Sequence, residues 1–149
     1  MRAALFAASI LLLVHSGASH AALGGAPEQF DTQATTTVTS NVTGAGVSYT
    51  TRATTLAGGI HVREYVSTGD LVFAVAWDGP QLPDLKALLG NYFDTMVAES
   101  AKAPLAGRGA LTIKLPEVVI NSGGHMRAFY GNAWIPAQLP AGFTGDDVQ

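Results

Sequence analysis

Ile60 to Trp77 reads IHVREYVSTGDLVFAVAW, two strand-forming runs separated by Thr68-Gly69. Ile60–Ser67 alternates apolar with polar residues, Leu71–Trp77 is almost wholly apolar, and the dipeptide between them is a hairpin signal. A two-residue loop pairs Val66 with Leu71, Glu64 with Phe73, Val62 with Val75 and Ile60 with Trp77, and opposed residues share a face. One face of the hairpin is then apolar except for Glu64. The other carries His61, Arg63, Tyr65, Val72, Ala74 and Ala76.

Downstream, Asp78-Gly79-Pro80 ends the strand, and Pro83 followed by Asp84 suits a helix start. Leu85, Leu88, Leu89, Tyr92, Phe93, Met96 and Val97 recur at helical spacing, so the pattern predicts one helix ending around Ser100 to Ala103. Gly90 inside it costs about 1 kcal/mol against Ala. Ala110–Asn121 reads as a strand bent at Pro116, Ser122-Gly123-Gly124 as a turn, and His125–Ile135 as the last strand. Upstream, Asp31–Thr55 contains ten threonines. Val47–Thr55 is the first strand, and the part before Gly44 reads either as strand or as disordered linker. The expected architecture is α+β, a two-layer sandwich with an antiparallel sheet of about five strands and one main helix packed on the Phe73 and Trp77 face. The α+β domain is placed at residues 46–136, between an extended Thr-rich segment (22–45) and an irregular C-terminal tail (137–149).

The first 21 residues read as an address. Met1-Arg2, the apolar run Ala3–Val14 and the small, polar His15–Ala21 form a secretory signal peptide, with Ser19 and Ala21 at the −3 and −1 positions. Twelve apolar residues are too few to cross a bilayer. The 149-residue chain has no cysteine, so no lipid anchor is expected at the cleavage point, and disulfides and thiolate-bound metals are ruled out. Only 13% of residues are charged, the net charge is −3, and the eight Lys and Arg residues are dispersed, which argues against nucleic acid. A periplasmic or extracellular protein without cofactor is expected.

Four segments carry a resemblance: ALGGAP after the leader, HVREYV, FAVAWDGPQLPDLKALLGNYF and SGGHMRAFYGNAWIP. Together they resemble the exported bacterial family catalogued as domain of unknown function 2844, over most of the chain beyond the leader. The resemblance implies a small exported bacterial protein and brings no catalytic residue, cofactor or partner with it.

Among individual residues, His61 and Glu64 have an odd spacing that sends them to opposite faces of a strand, against a joint metal site. His125 and Arg127, two apart beside Gly123-Gly124, offer a titratable donor and a planar donor fork, an anion clamp if they converge. Ser122 lacks the full G-x-S-x-G spacing of a nucleophile elbow, with Ile120 where the first glycine would stand, and Trp77 and Trp134 read as packing residues. No catalytic or metal residue is assigned. The candidate binding residues are His61, Arg63, Tyr65, His125 and Arg127. Glu64 is read as a structural carboxylate paired with Arg52 or Arg127, whose protonation weakens the fold as pH falls. The leading function is a non-catalytic protein that binds an envelope or protein partner through a sheet face, a sheet edge or its extended ends. The alternative is a small hydrolase or ligand-binding enzyme using His125 and Arg127. The leader reading predicts an exported product beginning at Ala22. Intact mass of that product checks it, and a mass retaining residues 1–21 refutes it.

Overall fold

A computed structural model of the chain describes residues 23–102 and 110–149, so the leader expectation lies outside the described residues. The strands are β1 (Thr35–Val42), β2 (Ser48–Leu56), β3 (Ile60–Ser67), β4 (Val72–Gly79), β5 (Leu111–Lys114), β6 (Val119–His125) and β7 (Ala128–Trp134). They form one seven-stranded antiparallel sheet in the order β1-β2-β3-β4-β7-β6-β5. Between β4 and β5 in the chain lie two short helices, α1 (Leu85–Leu89) and α2 (Tyr92–Ser100). The fold is therefore β-rich, and this overturns the expected five-stranded α+β sandwich with one main helix.

Three local causes account for the difference. The helix breaks at Gly90, whose φ of 53° and ψ of −123° suit glycine and end α1 after five residues. Asp84 caps α1 from outside it, its carboxylate accepting from the Lys86 and Ala87 amides at 3.0 Å. The Thr-rich start supplies an extra strand, β1, paired with β2 from Thr35 opposite Thr55 to Val42 opposite Ser48. Pro116 marks a reversal, not a bend: Leu115 N–H donates to Val118 O at 2.9 Å, dividing the long predicted strand into β5 and β6. Ser122, Gly123 and Gly124 belong to β6, and the chain turns instead at Met126-Arg127, with His125 opposite Ala128 and Arg127 at φ 67°.

The β3–β4 hairpin forms with a different register. Val62 lies opposite Trp77, Glu64 opposite Val75 and Tyr65 opposite Ala74, while Val66 lies opposite Val72. Phe73 is thus the extra residue of a β-bulge. The loop is also longer than two residues: Ser67 N–H donates to Leu71 O at 2.9 Å, and Asp70 takes a φ of 58°. The bulge exchanges Val72 and Phe73 between faces. Val72 joins Val62, Val66, Val75 and Trp77 against Leu88 and Leu89 of α1, as part of one core. Phe73 joins Tyr65, Ala74 and Ala76 in a second core on the opposite face.

That second face is covered by the C-terminal segment. Two 3-10 turns, Pro136–Gln138 and Gly145–Asp147, lead it across the sheet, and it buries Phe143 and Val148 there. Phe143 meets Phe73 edge-on at 5.1 Å between ring centroids, Tyr49 at 5.2 Å and Tyr65 at 5.5 Å. With a core on each side, every residue from Val72 to Trp77 is at most 4% exposed. The Phe73 carbonyl at the bulge accepts from Ile135 N–H at 3.0 Å, so the irregularity leaves it paired.

Each tryptophan lies against a glycine. A Cβ at Gly131 would sit 2.2 Å from Trp77, and one at Gly145 would sit 2.3 Å from Trp134. The two indoles belong to opposite faces and form no joint platform.

The bulge predicts how the two cores couple. Phe73→Ala and Phe143→Ala are each expected to cost about 3–5 kcal/mol. In a double-mutant cycle this touching pair should couple by about 0.5 kcal/mol or more, whereas Phe73→Ala and Leu89→Ala, on opposite faces, should add. Urea midpoints of the singles and doubles measure this. Coupling of Phe73 to Leu89 instead would return Phe73 to the helix side.

Candidate functional site

The register of the β2–β3 hairpin, set by the turn at Ala57-Gly58-Gly59, puts Arg52 directly opposite Glu64 on the helix-side face. Glu64 is 1% exposed. Its Oε1 accepts from the Glu28 amide at 2.7 Å, and its Oε2 lies 3.9 Å from Arg52 Nη1. Arg52 Nη2 reaches Glu28 O at 3.4 Å, so a strand pair grips the backbone of the N-terminal segment. Of the two expected arginine partners, the structure supplies Arg52.

The electrostatics of this cluster are dominated by burial. Loss of solvent pushes the Glu64 carboxyl above its ordinary 4.5; the Glu28 N–H and the Arg52 charge oppose this, and the Glu28 carboxylate adds to the rise. At 3.9 Å the arginine contact is too long to offset desolvation.

Holding Glu28 in place positions the segment that follows it. Residues 28–34, Leu56 to Val62 and Leu82 to Leu88 enclose a half-open cleft of about 480 Å³. Phe30, Leu56, Ile60, Val62, Leu82 and Leu88 form its apolar walls, and Glu28, Asp31 and Asp84 are its ionisable groups. Asp31 Oδ1 accepts from the Thr32 amide at 2.6 Å and from the Thr32 hydroxyl at 3.2 Å. Nothing in the sequence singled out Glu28 or Asp31, because their role depends on a contact 36 residues away in the chain.

The five candidate binding residues do not converge. Arg63 and Tyr65 share the tail-side face and are used internally: the Arg63 guanidinium donates to Gln149 O, and the Tyr65 hydroxyl donates to the same atom at 2.9 Å while accepting from Gln149 N–H at 3.1 Å. His61 is exposed, with Nδ1 3.2 Å from the Thr55 hydroxyl. His125 and Arg127 flank the exposed tip of the β6–β7 hairpin, where His125 Nδ1 lies 3.3 Å from Met126 O. None of the five lines the cleft. Among the described residues, no three His, Asp or Glu side chains group as metal ligands.

The sheet also presents an edge. β1 is eight residues long, carries no charge, and is exposed along its length except at Asn41; Val38 and Val42 are 61% and 65% exposed. It is held on its inner side by β2, with Thr36 and Thr54 hydroxyls 2.9 Å apart and Asn41 Nδ2 donating to Thr51 Oγ1 at 2.9 Å. The opposite edge, β5, is four residues long and includes Lys114.

A family model described as protein of unknown function (DUF2844) matches residues 19–148. No curated protein and no solved structure matches the chain.

The raised folded-state pKa of Glu64 fixes the sign of its pH dependence. The folded chain holds the proton to higher pH than the unfolded chain, so ionised Glu64 costs stability above the raised pKa. Stability therefore rises as pH is lowered from there towards 4.5, opposite to the trend expected for a pair-dominated carboxylate. Glu64→Gln, which mimics the protonated form, should match or exceed the wild type at neutral pH, and any margin should shrink as pH falls through the raised pKa and the wild type becomes protonated. Urea midpoints across a pH series check this; a wild type that gains on Glu64→Gln with rising pH refutes it.

Proposed function

We propose that this chain, which belongs to the DUF2844 family of proteins of unknown function, is an exported, non-catalytic binding protein that accepts an extended segment of a partner protein along the outer edge of β1. The carrying observation is the edge itself: eight uncharged residues exposed on both faces, at one end of the sheet. An unpaired strand edge is a row of amide donors and carbonyl acceptors, and proteins commonly blunt such edges with charge, proline or short length. β5 at the other end is short and carries Lys114; β1 has none of these protections. Main-chain pairing supplies the affinity in strand addition, and alternate side chains supply selectivity. The flanking threonines offer small β-branched surfaces on both faces, with Val38 and Val42 as apolar contacts on one.

Export rests on the three-part start of the sequence, whose apolar run lies outside the residues the family model matches. The absence of cysteine suits release without a lipid anchor. The non-catalytic reading is supported by His125 and Arg127, which stand at an exposed hairpin tip and do not face a cleft.

A photo-crosslinking residue at position 38, introduced into the protein in its native envelope, tests the proposal. The expected result is an adduct with one partner, with amides of Thr35–Val42 becoming protected from hydrogen exchange in the purified complex. Adding Val42→Lys, four residues along the same strand, should abolish the adduct while leaving the far-ultraviolet dichroism unchanged, because an edge charge opposes strand addition. Adducts only with a second copy of the chain would replace the partner by self-pairing. An adduct that survives Val42→Lys, or protection mapping to another strand, overturns the edge as the site.

A further inference from the structure

We infer that the cleft between residues 28–34 and the β2–β3 hairpin binds an amphiphilic organic cation, a protonated amine carried on an aliphatic or aromatic body. The site is separate from the β1 edge and does not depend on that reading. Its volume of about 480 Å³ suits a small molecule. The walls named above are apolar, and Leu82 is 45% exposed at the mouth, so water there is in contact with hydrocarbon that a ligand would cover.

Charge decides the head group. Glu28, Asp31 and Asp84 are all acids, and no lysine, arginine or histidine is among the lining residues. Asp31 and Asp84 are fixed in orientation because each uses Oδ1 to accept backbone amides, from Thr32 at 2.6 Å and from Lys86 and Ala87 at 3.0 Å. Their Oδ2 atoms accept no hydrogen bond from the described residues. An anchored carboxylate rim over an apolar floor attracts an ammonium and repels an anion of the same shape, so the arrangement selects by sign of charge as well as by size. The Glu28 backbone is tied to Glu64 and Arg52, which holds this wall of the cleft in place before any ligand arrives.

The test compares n-octylamine with n-octanoate, two probes of equal chain length and opposite charge, titrated into the chain from Ala22 onward and followed by amide chemical shifts and calorimetry. Octylamine should saturate a single site with shifts centred on Phe30, Leu56 and Leu88, and octanoate should bind roughly tenfold more weakly. The double substitution Asp31→Asn/Asp84→Asn keeps both Oδ1 acceptors and removes both charges. It should weaken octylamine roughly fivefold without lowering the thermal midpoint. Ala57→Trp, which fills the cleft from an exposed turn, should abolish the shifts. Equal binding of the two probes, shifts centred elsewhere, binding undiminished by Ala57→Trp, or no saturable binding would each overturn the assignment.

Discussion

The bulge in β4 puts two consecutive residues of a central strand, Phe73 and Ala74, on the same face and so exchanges Val72 and Phe73 between the cores, and the rest of the molecule is arranged around that division. A regular strand would have placed Phe73 beside Val75 under the helices and left the other face with Val72, two alanines and Tyr65 near its centre. Such a face offers little to bury. With Phe73 turned over, it presents an aromatic ring to Phe143, Tyr49 and Tyr65, and full burial of such a side chain contributes about 1.5–3 kcal/mol. The C-terminal segment therefore has a reason to cross the sheet. A chain without disulfides gains its second layer in this way.

The N-terminal segment is held on the helix-side face by a different means. Leu23 and Gly24 donate backbone hydrogen bonds to Leu88 and Val72, and Gly25 accepts from Val72, after which the chain reaches Glu64 and Arg52. A buried carboxylate is an expensive anchor. Its compensation is directional: an apolar residue at position 64 would pack against Val75 but could not receive the Glu28 amide. The segment beyond Glu28 forms a wall of the cleft, so the least hydrophobic group in the core positions the most ligand-like surface.

The legible part of this structure was what depends on neighbouring residues. The existence of β3 and β4, the helical character after Pro83 and the helix-facing side of Val62, Val75 and Trp77 all follow from periodicity. Family membership was legible too, in segments spread over the chain. What failed required information from distant residues or from a single backbone angle. The β3–β4 register turned on Asp70 adopting positive φ, which a Thr-Gly signal conceals. β1 was ambiguous because threonine at every other position erases the contrast between faces on which strand recognition relies. Gly123 looked like a turn residue, yet it is flat strand under the Tyr130 ring, where a Cβ would lie 2.9 Å from the hydroxyl. Arg63 and Tyr65 looked available for a ligand, and whether a polar residue faces solvent or the chain's own tail cannot be read from its strand.

The pairing of each indole with a glycine has a spectroscopic consequence. Trp77 is sealed among aliphatic side chains on the helix side, while Trp134 lies under Gly145 on the side of the C-terminal segment. The two chromophores therefore sit in separate compartments divided by the sheet, and the chain has no third tryptophan to blur them. Detachment of the C-terminal segment would shift the emission of one indole to the red and leave the other blue. Intrinsic fluorescence thus resolves the two layers of this protein without any label.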